Sequence, residues 1–272
     1  MNNSLEENPL YLQSQLITYL GNKRSLLPFI GEGVNIVKEK LKKSKIKCLD
    51  VFSGSGIVSR YLKKDSQVIV ANDLETYSCI INNCYLANKN EIDLKKLTRI
   101  YDELKLSINK KMQVVEKSIS NHEQIVSGFV SELYAPKNEE DIQFGERCFY
   151  TPYNANYIDI TRQEIDKIVP MEYRDFFIAP LLSEVSIHAN TAGIFKGFYR
   201  NSQTKKGQFG GNGKNALSRI KGKIDLPFPV FSEFESEFRV FNQAANALVF
   251  EDELYKTNLE SDGEDLFDLA YF

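Results

Sequence analysis

The spacing of apolar residues divides the N-terminal part of the chain into alternating helices and strands. Apolar positions recur every three or four residues over 26–41, which predicts a helix, whereas 47–52 (KCLDVF) is a short apolar run typical of a buried strand. Helical spacing resumes at 57–63, and 67–71 (QVIVA) is a second apolar run. A strand, a turn, a helix and a second strand make a βαβ unit, so this part predicts a parallel sheet with helices on its faces.

The pattern changes after this unit. Apolar residues hold a three-four spacing from Leu94 to Ile119, which predicts one long amphipathic helix. Aromatic residues near 149–153 indicate loops, and helical spacing returns at 161–169 and 173–188. Three further elements are predicted toward the C-terminus: a strand at 239–241, a helix at 244–250 and a strand at 266–272.

We therefore predict an α/β fold in which a parallel sheet is interrupted by a mainly helical insertion. Residues 1–89 and 229–272 would form the sheet domain, and 90–228 the insertion. At 272 residues, with 42% hydrophobic and 26% charged residues, the chain can bury a substantial core. This composition excludes collagen-like, low-complexity and disordered chains without indicating a function.

Composition also bears on compartment and on metal binding. No apolar run approaches the roughly eighteen residues of a membrane span, and the N-terminus is polar and acidic where a signal peptide would be basic and then apolar. We expect a cytoplasmic protein that binds no membrane. The four cysteines lack the paired spacing of a zinc site, and the two histidines belong to no metal-binding motif, so we expect no metal site.

Charge is distributed unevenly along the chain, although the net charge is only -3. Residues 185–224 contain no Asp or Glu but eight Lys and Arg, whereas 233–268 contain eleven acidic residues. A positive face on an acidic body is typical of a protein that binds a phosphate backbone. A solvated basic loop is the alternative. The basic residues that we expect to contact DNA phosphates are Lys205, Lys206, Lys214 and Arg219.

The most informative string is Asp50–Gly56 (DVFSGSG), which follows the first predicted strand. Its two glycines allow the backbone to pass close to a ligand, and the next helix offers free N–H groups. A nicotinamide-binding fingerprint would place Gly or Ala at position 59, where this chain has Ser59. Asp73 follows the second strand, where a carboxylate can accept hydrogen bonds from ribose hydroxyls. An ordinary helix N-cap is the alternative for Asp73.

Three motifs occur in an order that carries a family resemblance: Tyr19–Arg24 (YLGNKR), Asp50–Gly56 and Ala71–Asp73 (AND). In this order they resemble the S-adenosylmethionine-dependent DNA adenine methyltransferases of restriction-modification and Dam-type systems. The resemblance extends through 149–166 and 186–198. It implies a Rossmann-like methyltransferase sheet with a helical DNA-recognition insertion, S-adenosylmethionine as cofactor and double-stranded DNA as partner.

The resemblance also implies which residues hold the cofactor. The Gly-Asn-Lys motif and the glycine turn would surround its methionine end, and the acidic residue after the second strand would hold the ribose. Lys23 alone would be equally consistent with a surface lysine at a helix start. The implied cofactor-binding residues are Tyr19, Gly21, Asn22, Lys23, Asp50, Phe52, Gly54, Gly56 and Asp73.

Two departures from the family pattern bear on activity. Where the family has an Asp that contacts the cofactor's adenine, this chain has Ala244, so we expect Gln243 or Asn246 to make that contact. The family's catalytic Asp-Pro-Pro-Tyr motif follows a strand that 268–272 (DLAYF) resembles, yet the motif is not in the sequence. The string at 151–154 (TPYN) is a weak substitute, which we interpret as a loop.

We therefore expect the N-terminal portion of an adenine-specific DNA methyltransferase, acting with a C-terminal fragment or subunit and with a cognate restriction endonuclease. No catalytic residue is assigned. The alternative is a non-catalytic subunit, or inactive fragment, that binds S-adenosylmethionine and DNA beside a partner carrying the catalytic motif. A nicotinamide-dependent oxidoreductase is disfavoured by Ser59 and by the lack of a suitable catalytic histidine.

Overall fold

The computed structural model describes residues 6–13, 17, 23–191, 197–211, 216–255 and 267–272. Contacts between Cα atoms divide these residues into two compact units. The first contains 6–13, 23–94 and Pro229–Phe272, and the second contains Lys95–Phe228.

The first unit is built on a four-stranded parallel sheet. Strands β1 (Ile46–Asp50) and β2 (Ser66–Asn72) are central, β3 (Glu237–Phe241) pairs with β2, and β4 (Leu269–Tyr271) pairs with β1. The order is β3-β2-β1-β4 and every pairing is parallel. The predicted α/β class and parallel sheet are therefore confirmed.

Helices surround this sheet. Those of the first unit are α1 (Pro9–Gln13), α2 (Leu27–Leu41), α3 (Ile57–Leu62), α4 (Thr76–Leu86), α10 (Ala245–Leu248) and α11 (Asp252–Tyr255). One face of the sheet packs Cys48 and Ile69 against α2 and α3, and the other packs Leu49 and Val70 against Leu248 of α10. Because successive strand residues point to opposite faces, a strand covered on both sides is buried along its length. All residues of β1 and β2 are buried except Gln67, and the centre of β2 (68–71) is wholly apolar.

The second unit is helical. Its helices are α5 (Leu94–Ser120, whose first residue belongs to the first unit), α6 (Phe129–Leu133), α7 (Pro152–Ile168), α8 (Asp175–His188) and α9 (Leu217–Lys221). The apolar stripe of α5 is buried from Leu97 to Val115, which confirms the predicted long amphipathic helix. Between α7 and α5, the Glu164 carboxylate lies 2.7 Å from the Lys111 ammonium.

Several predicted boundaries were wrong. The string at 151–154 is the start of a helix: Pro152 occupies its first turn, and Thr151 is the N-cap, whose hydroxyl accepts from the Asn154 N–H at 3.1 Å. This pairing of Thr and Pro is a standard helix start, so the aromatic residues nearby were a misleading signal for a loop. The helix predicted at 244–250 is shorter, since α10 ends at Leu248, and the separate helix α11, which begins at Asp252, was not predicted.

Candidate cofactor-binding site

A cavity of about 620 Å³ lies at the carboxyl ends of the parallel strands of the first unit. Ligands of open α/β sheets bind at this edge, because the loops that leave the strands meet there. Sections of chain at the ends of all four strands line it, together with one residue from the N-terminal region. The lining residues are Lys23, Phe52, Ser53, Gly54, Ser55, Ile57, Val58, Asn72, Asp73, Leu74, Gln243, Ala244, Ala245, Asn246, Tyr271 and Phe272.

The turn after β1 depends on its two glycines. Gly54 has φ +52° and Gly56 has φ +71°, in the left-handed region that other residues adopt at a cost. Gly56 is the N-cap of α3, and a Cβ there would lie 2.8 Å from Oδ1 of Asn82. The Gly56 N–H donates to the Ser53 carbonyl at 2.7 Å, which closes the turn. Gly54 lines the cavity, whereas Gly56 shapes the turn without lining it.

Asp73 joins the two turns that follow the central strands. Its Oδ2 accepts a hydrogen bond from the Gly54 N–H at 2.7 Å, and its Oδ1 accepts one from the Glu75 N–H at 3.0 Å. The residue lines the cavity and is mostly buried. Glu75, not Asp73, is the N-cap of α4, so Asp73 is not the ordinary helix cap that the sequence left open.

Asp50 lies beneath this turn and does not line the cavity. Its side chain is fully buried, and its Oδ2 accepts a hydrogen bond from the Ser59 hydroxyl at 2.6 Å. Its other oxygen, Oδ1, has no partner among the described residues. Burial raises the pKa of Asp50 to about 6, against the opposing effect of the Ser59 hydrogen bond. The carboxylate is therefore placed to stabilise positive charge at the strand end.

The other sequence-predicted residues fall into two groups. Lys23 and Phe52 both line the cavity, and Phe52 remains 59% exposed, so its ring is free to contact a ligand. Lys23 is also the N-cap of a short 3₁₀ helix at Arg24–Leu26, which agrees with the alternative that it is a surface lysine at a helix start. Tyr19, Gly21 and Asn22 lie outside the described residues.

The section after β3 lies against the same cavity. Gln243 and Asn246, the residues expected to replace the missing Asp, both line it, and so does Ala244. Asn72 holds this section, because its Nδ2 donates to the Gln243 carbonyl at 3.1 Å and to the Val51 carbonyl at 3.1 Å. The Gln243 backbone is thereby fixed to the ends of β1 and β2.

Sequence reasoning missed some of the residues that build the site. Ser53 donates to the Asn72 carbonyl from both its backbone N–H, at 2.9 Å, and its hydroxyl, at 3.1 Å. In the sequence, Ser59 was used only as an argument against a nicotinamide-binding fingerprint. In the structure its hydroxyl donates a hydrogen bond to Oδ2 of Asp50. Tyr271 also lines the cavity; the sequence marked its strand as the one that would precede the catalytic motif, but did not assign Tyr271 to the site.

In the second unit, the predicted DNA-contacting residues have different environments. Lys205 and Lys206 lie at the end of a hairpin, where Arg200 bridges antiparallel to Gly207 and the Asn201 N–H donates to the Lys206 carbonyl at 2.9 Å. Lys205 is exposed, with φ +59°. The hairpin is thus held by backbone hydrogen bonds.

Arg219 is tied to the end of α8. Its guanidinium donates to the carbonyls of Ile187 and Ala189, the second at 3.1 Å, so it caps carbonyls that a helix end leaves without partners. Lys214 lies outside the described residues. The four predicted contacts therefore comprise a hairpin pair, a capping residue and a position that the structure does not describe.

Two negative findings hold for the described part of the chain. Within these ranges, no group of three or more His, Cys, Asp and Glu side chains could hold a metal ion. None of the helices that the structure describes is both long enough and apolar enough for a membrane span.

Comparison with known proteins decides the family. A model of the D12 class N6 adenine-specific DNA methyltransferases matches residues 19–225, more than half of the chain. The chain belongs to this family. The matched range includes the glycine turn, Asp73 and the hairpin, and it ends before β3. Enzymes of the class take their methyl group from S-adenosylmethionine.

Three curated relatives resemble this chain over part of their length. The type II methyltransferase M.CviAII of Paramecium bursaria Chlorella virus 1 is 26% identical over 190 residues, covering 68% of this chain and 49% of its own. M.NlaIII of Neisseria lactamica is 27% identical over 190 residues, covering 68% and 50%. M.FokI of Planomicrobium okeanokoites is 25% identical over 238 residues, covering 85% and 32%.

The chain thus spans about half the length of the first two relatives. No solved structure matches this chain with significance.

The cavity fits the class cofactor in size and chemistry. Its volume is within the range of roughly 300 to 1,000 Å³ typical of small-molecule sites. Asp73 supplies carboxylate lone pairs beyond the two hydrogen bonds that it already accepts, and Asp50 supplies negative charge beneath the turn. Gly54 keeps its part of the wall free of side-chain atoms.

Proposed function

We propose that this chain binds S-adenosylmethionine in the cavity at the ends of β1 and β2. The observation that carries this proposal is the convergence of Lys23, Gly54 and Asp73 on one cavity, from three separate sections of chain. Asp73 would accept hydrogen bonds from the ribose hydroxyls, and Asp50 would favour the ammonium end of the cofactor through its charge.

We assign the adenine end of the cofactor to the section after β3. Gln243 or Asn246 would hydrogen-bond the adenine in place of the absent Asp, and the exposed Phe52 ring offers a surface for stacking. When bound, S-adenosylmethionine supplies an electrophilic methyl group on its sulfonium sulfur. The residues of this cavity bind and orient that group.

The second unit would serve as the DNA-recognition part. Residues 185–224 carry no acidic residue, and the hairpin presents Lys205 and Lys206 together. Such a segment attracts the phosphate backbone of duplex DNA and positions the protein on it. Lys214 is proposed as a further phosphate contact. Arg219 would help by fixing the end of α8 and by adding positive charge.

Methyl transfer to the exocyclic amino group of adenine needs residues that accept hydrogen bonds from that amine once the base has left the helix. The sequence contains no Asp-Pro-Pro-Tyr string, and the chain spans about half of its relatives. We therefore propose that a further segment, or a separate chain, supplies the catalytic motif and acts with this one. We place the complete enzyme in the cytoplasm, in a restriction-modification system with a cognate endonuclease.

A reconstitution experiment tests this function. The chain is incubated with tritiated S-adenosylmethionine and duplex DNA, alone and with a polypeptide that begins with Asp-Pro-Pro-Tyr and continues into further strands. We expect label in DNA adenine only when both chains are present, and none with an Asp73→Ala variant of this chain. Cofactor and DNA binding without transfer in any combination would favour a non-catalytic subunit instead. Transfer by the single chain would place the catalytic residues within it.

A further inference from the structure

The short helix α1 contacts two elements that line the cavity at the strand ends, and the proposed function assigns it no role. Tyr11 of α1 is fully buried, although its neighbour Leu10 is 57% exposed. The Tyr11 hydroxyl donates to the Tyr85 carbonyl of α4 at 2.5 Å. Because a helix of five residues is not stable by itself in water, the position of α1 depends on its contacts with the rest of the first unit.

Tyr11 covers the buried guanidinium of Arg60 on α3. Arg60 is only 1% exposed, and its Cζ lies 4.8 Å from the centre of the Tyr11 ring and 5.0 Å from the centre of the Tyr85 ring. The guanidinium nitrogens have no hydrogen-bond partner among the described residues. Burial of a charge is costly, and the faces of the two rings offset part of that cost. The contact between Tyr11 and Arg60 therefore holds α1 against α3.

The chain just before α1 is held as well. The Glu7 carboxylate accepts from the Ser232 hydroxyl at 2.5 Å and from the Glu233 N–H at 2.9 Å, in the section that leads to β3. Asn8 Oδ1 accepts from the Leu10 N–H at 3.0 Å, within the first turn of α1. The start of α1 is thus fixed to the sheet domain by contacts separate from those of Tyr11.

The end of α1 is joined to the residue that follows Lys23. The Arg24 guanidinium donates to the carbonyl of Gln13, the last residue of α1. The last carbonyls of a helix lack partners within it, so a cationic donor is favoured there. Lys23 lines the cavity, and so does Ile57, which precedes Arg60 by one turn of α3. Helix α1 therefore links two parts of the cavity wall.

We propose that α1 positions Lys23 for cofactor binding, with Tyr11 fixing α1 on α3 and Arg24 joining α1 to the residue next to Lys23. Tyr11 and Arg24 are positioning residues, since neither lines the cavity. A lysine side chain loses much rotamer freedom when its ammonium is held by a ligand, so a fixed backbone favours binding. This inference rests on the proposed binding of S-adenosylmethionine.

The test combines calorimetric titration with S-adenosylmethionine and urea denaturation of the same proteins. Arg24→Met removes the hydrogen bond to Gln13 but keeps a long side chain, and it should lower the affinity roughly three- to tenfold, within the range of coupling between neighbouring residues. Tyr11→Ala removes the ring that covers Arg60 and should lower the affinity at least as far. Lys40→Met is the matched control: it removes the same charge from an exposed position near the end of α2 and should keep the affinity.

A double-mutant cycle separates positioning from a general loss of stability. In a Lys23→Ala background, Arg24→Met and Tyr11→Ala should each change the affinity by less than about twofold, because the side chain that they position is absent. The same loss of affinity in both backgrounds would indicate a purely structural role and would overturn the inference. If urea denaturation shows that Tyr11→Ala does not fold, the cycle with Arg24→Met alone decides.

The outcomes separate this inference from the function on which it rests. Absence of binding by the wild type would overturn the proposed cofactor binding, and this inference with it. Binding by the wild type that Lys23→Ala does not weaken would overturn only the inference, because Gly54 and Asp73 would still define the cofactor site. An unchanged affinity in Arg24→Met would also overturn only the inference.

Discussion

The backbone N–H of Gly54 donates to Oδ2 of Asp73 at 2.7 Å, which joins the turn after β1 to the turn after β2. Asp73 Oδ1 also accepts from the Glu75 N–H, so one carboxylate fixes the backbone of both turns. A hydrogen bond to a charged acceptor is stronger than one between neutral groups. The shape of the cavity at the strand ends therefore depends on a residue that we also propose to contact the cofactor.

Replacing Asp73 should destabilise the first unit as well as weaken cofactor binding. Asp73→Ala removes an acceptor of two backbone hydrogen bonds, and we expect a loss of about 2 kcal/mol in the free energy of unfolding. Asp73→Asn keeps one acceptor oxygen, so its free energy of unfolding should fall by less. Urea denaturation of the three proteins measures this order, and equal stability of the wild type and Asp73→Ala would show that the turns are held by other contacts.

The buried Asp50 should make stability depend on pH. Burial raises the pKa of its carboxyl to about 6, above the ordinary value of 3.8. The folded chain therefore binds this proton more tightly than the unfolded chain, so the contribution of Asp50 to stability falls as pH rises from about 4 to 6. Asp50→Asn cannot ionise, and its stability relative to the wild type should rise by a few kcal/mol across this range. If the free energies of unfolding of the wild type and Asp50→Asn changed in parallel with pH, Asp50 would not be the source of the pH dependence.

Glu164 should have the opposite dependence in the second unit. Burial raises its pKa, but hydrogen bonds from Lys111, Ser107 and Lys167 outweigh that effect and lower the pKa to about 2. Its contribution to stability is thus fully present above pH 4.5 and is lost as pH falls toward 2. Glu164→Gln should cost about 1 to 3 kcal/mol at neutral pH, measured by thermal melting, and the difference should shrink below about pH 4. A constant difference at all pH values would exclude the ionic contribution.

DNA binding through the hairpin should depend on salt. A Lys205→Ala/Lys206→Ala variant should flatten the slope of log affinity against log salt by about 0.9 for every phosphate that it no longer neutralises. A Lys40→Ala/Lys42→Ala variant is the control, because it removes the same charge from exposed positions of the first unit, and Lys42 has a positive φ like Lys205. If both variants changed the slope equally, net charge and not the hairpin would explain the effect.

The sequence predicted the parts of this fold that depend on local pattern. The apolar runs of β1 and β2, the glycine turn and the three-four spacing of α5 each follow from the periodicity of buried positions, and all are present. The parallel sheet followed because a βαβ unit has essentially one arrangement.

Other features depend on partners distant in the chain, which no local pattern reveals. Arg219 is occupied by the carbonyls at the end of α8, and the hydroxyl of Ser59 is occupied by Asp50. The sequence marked the segment around Lys205 only by its positive charge, whereas backbone hydrogen bonds form a hairpin there. In the candidate site, Tyr271 lines the cavity because β4 pairs with β1, and this pairing cannot be read from local sequence.

The most direct test of the central claim is calorimetric titration of the chain with S-adenosylmethionine. Gly54→Val places a branched side chain at φ +52° in the cavity wall, where β-branched residues are strained. Gly33→Ala is the matched control, because this glycine lies in α2 and a Cβ there meets nothing within 4 Å. We predict that the wild type and Gly33→Ala bind the cofactor with similar affinity. The affinity of Gly54→Val should be at least about tenfold lower, which corresponds to a loss of roughly 1.4 kcal/mol in binding free energy. The same affinity in all three proteins would contradict the assignment of this cavity to the cofactor.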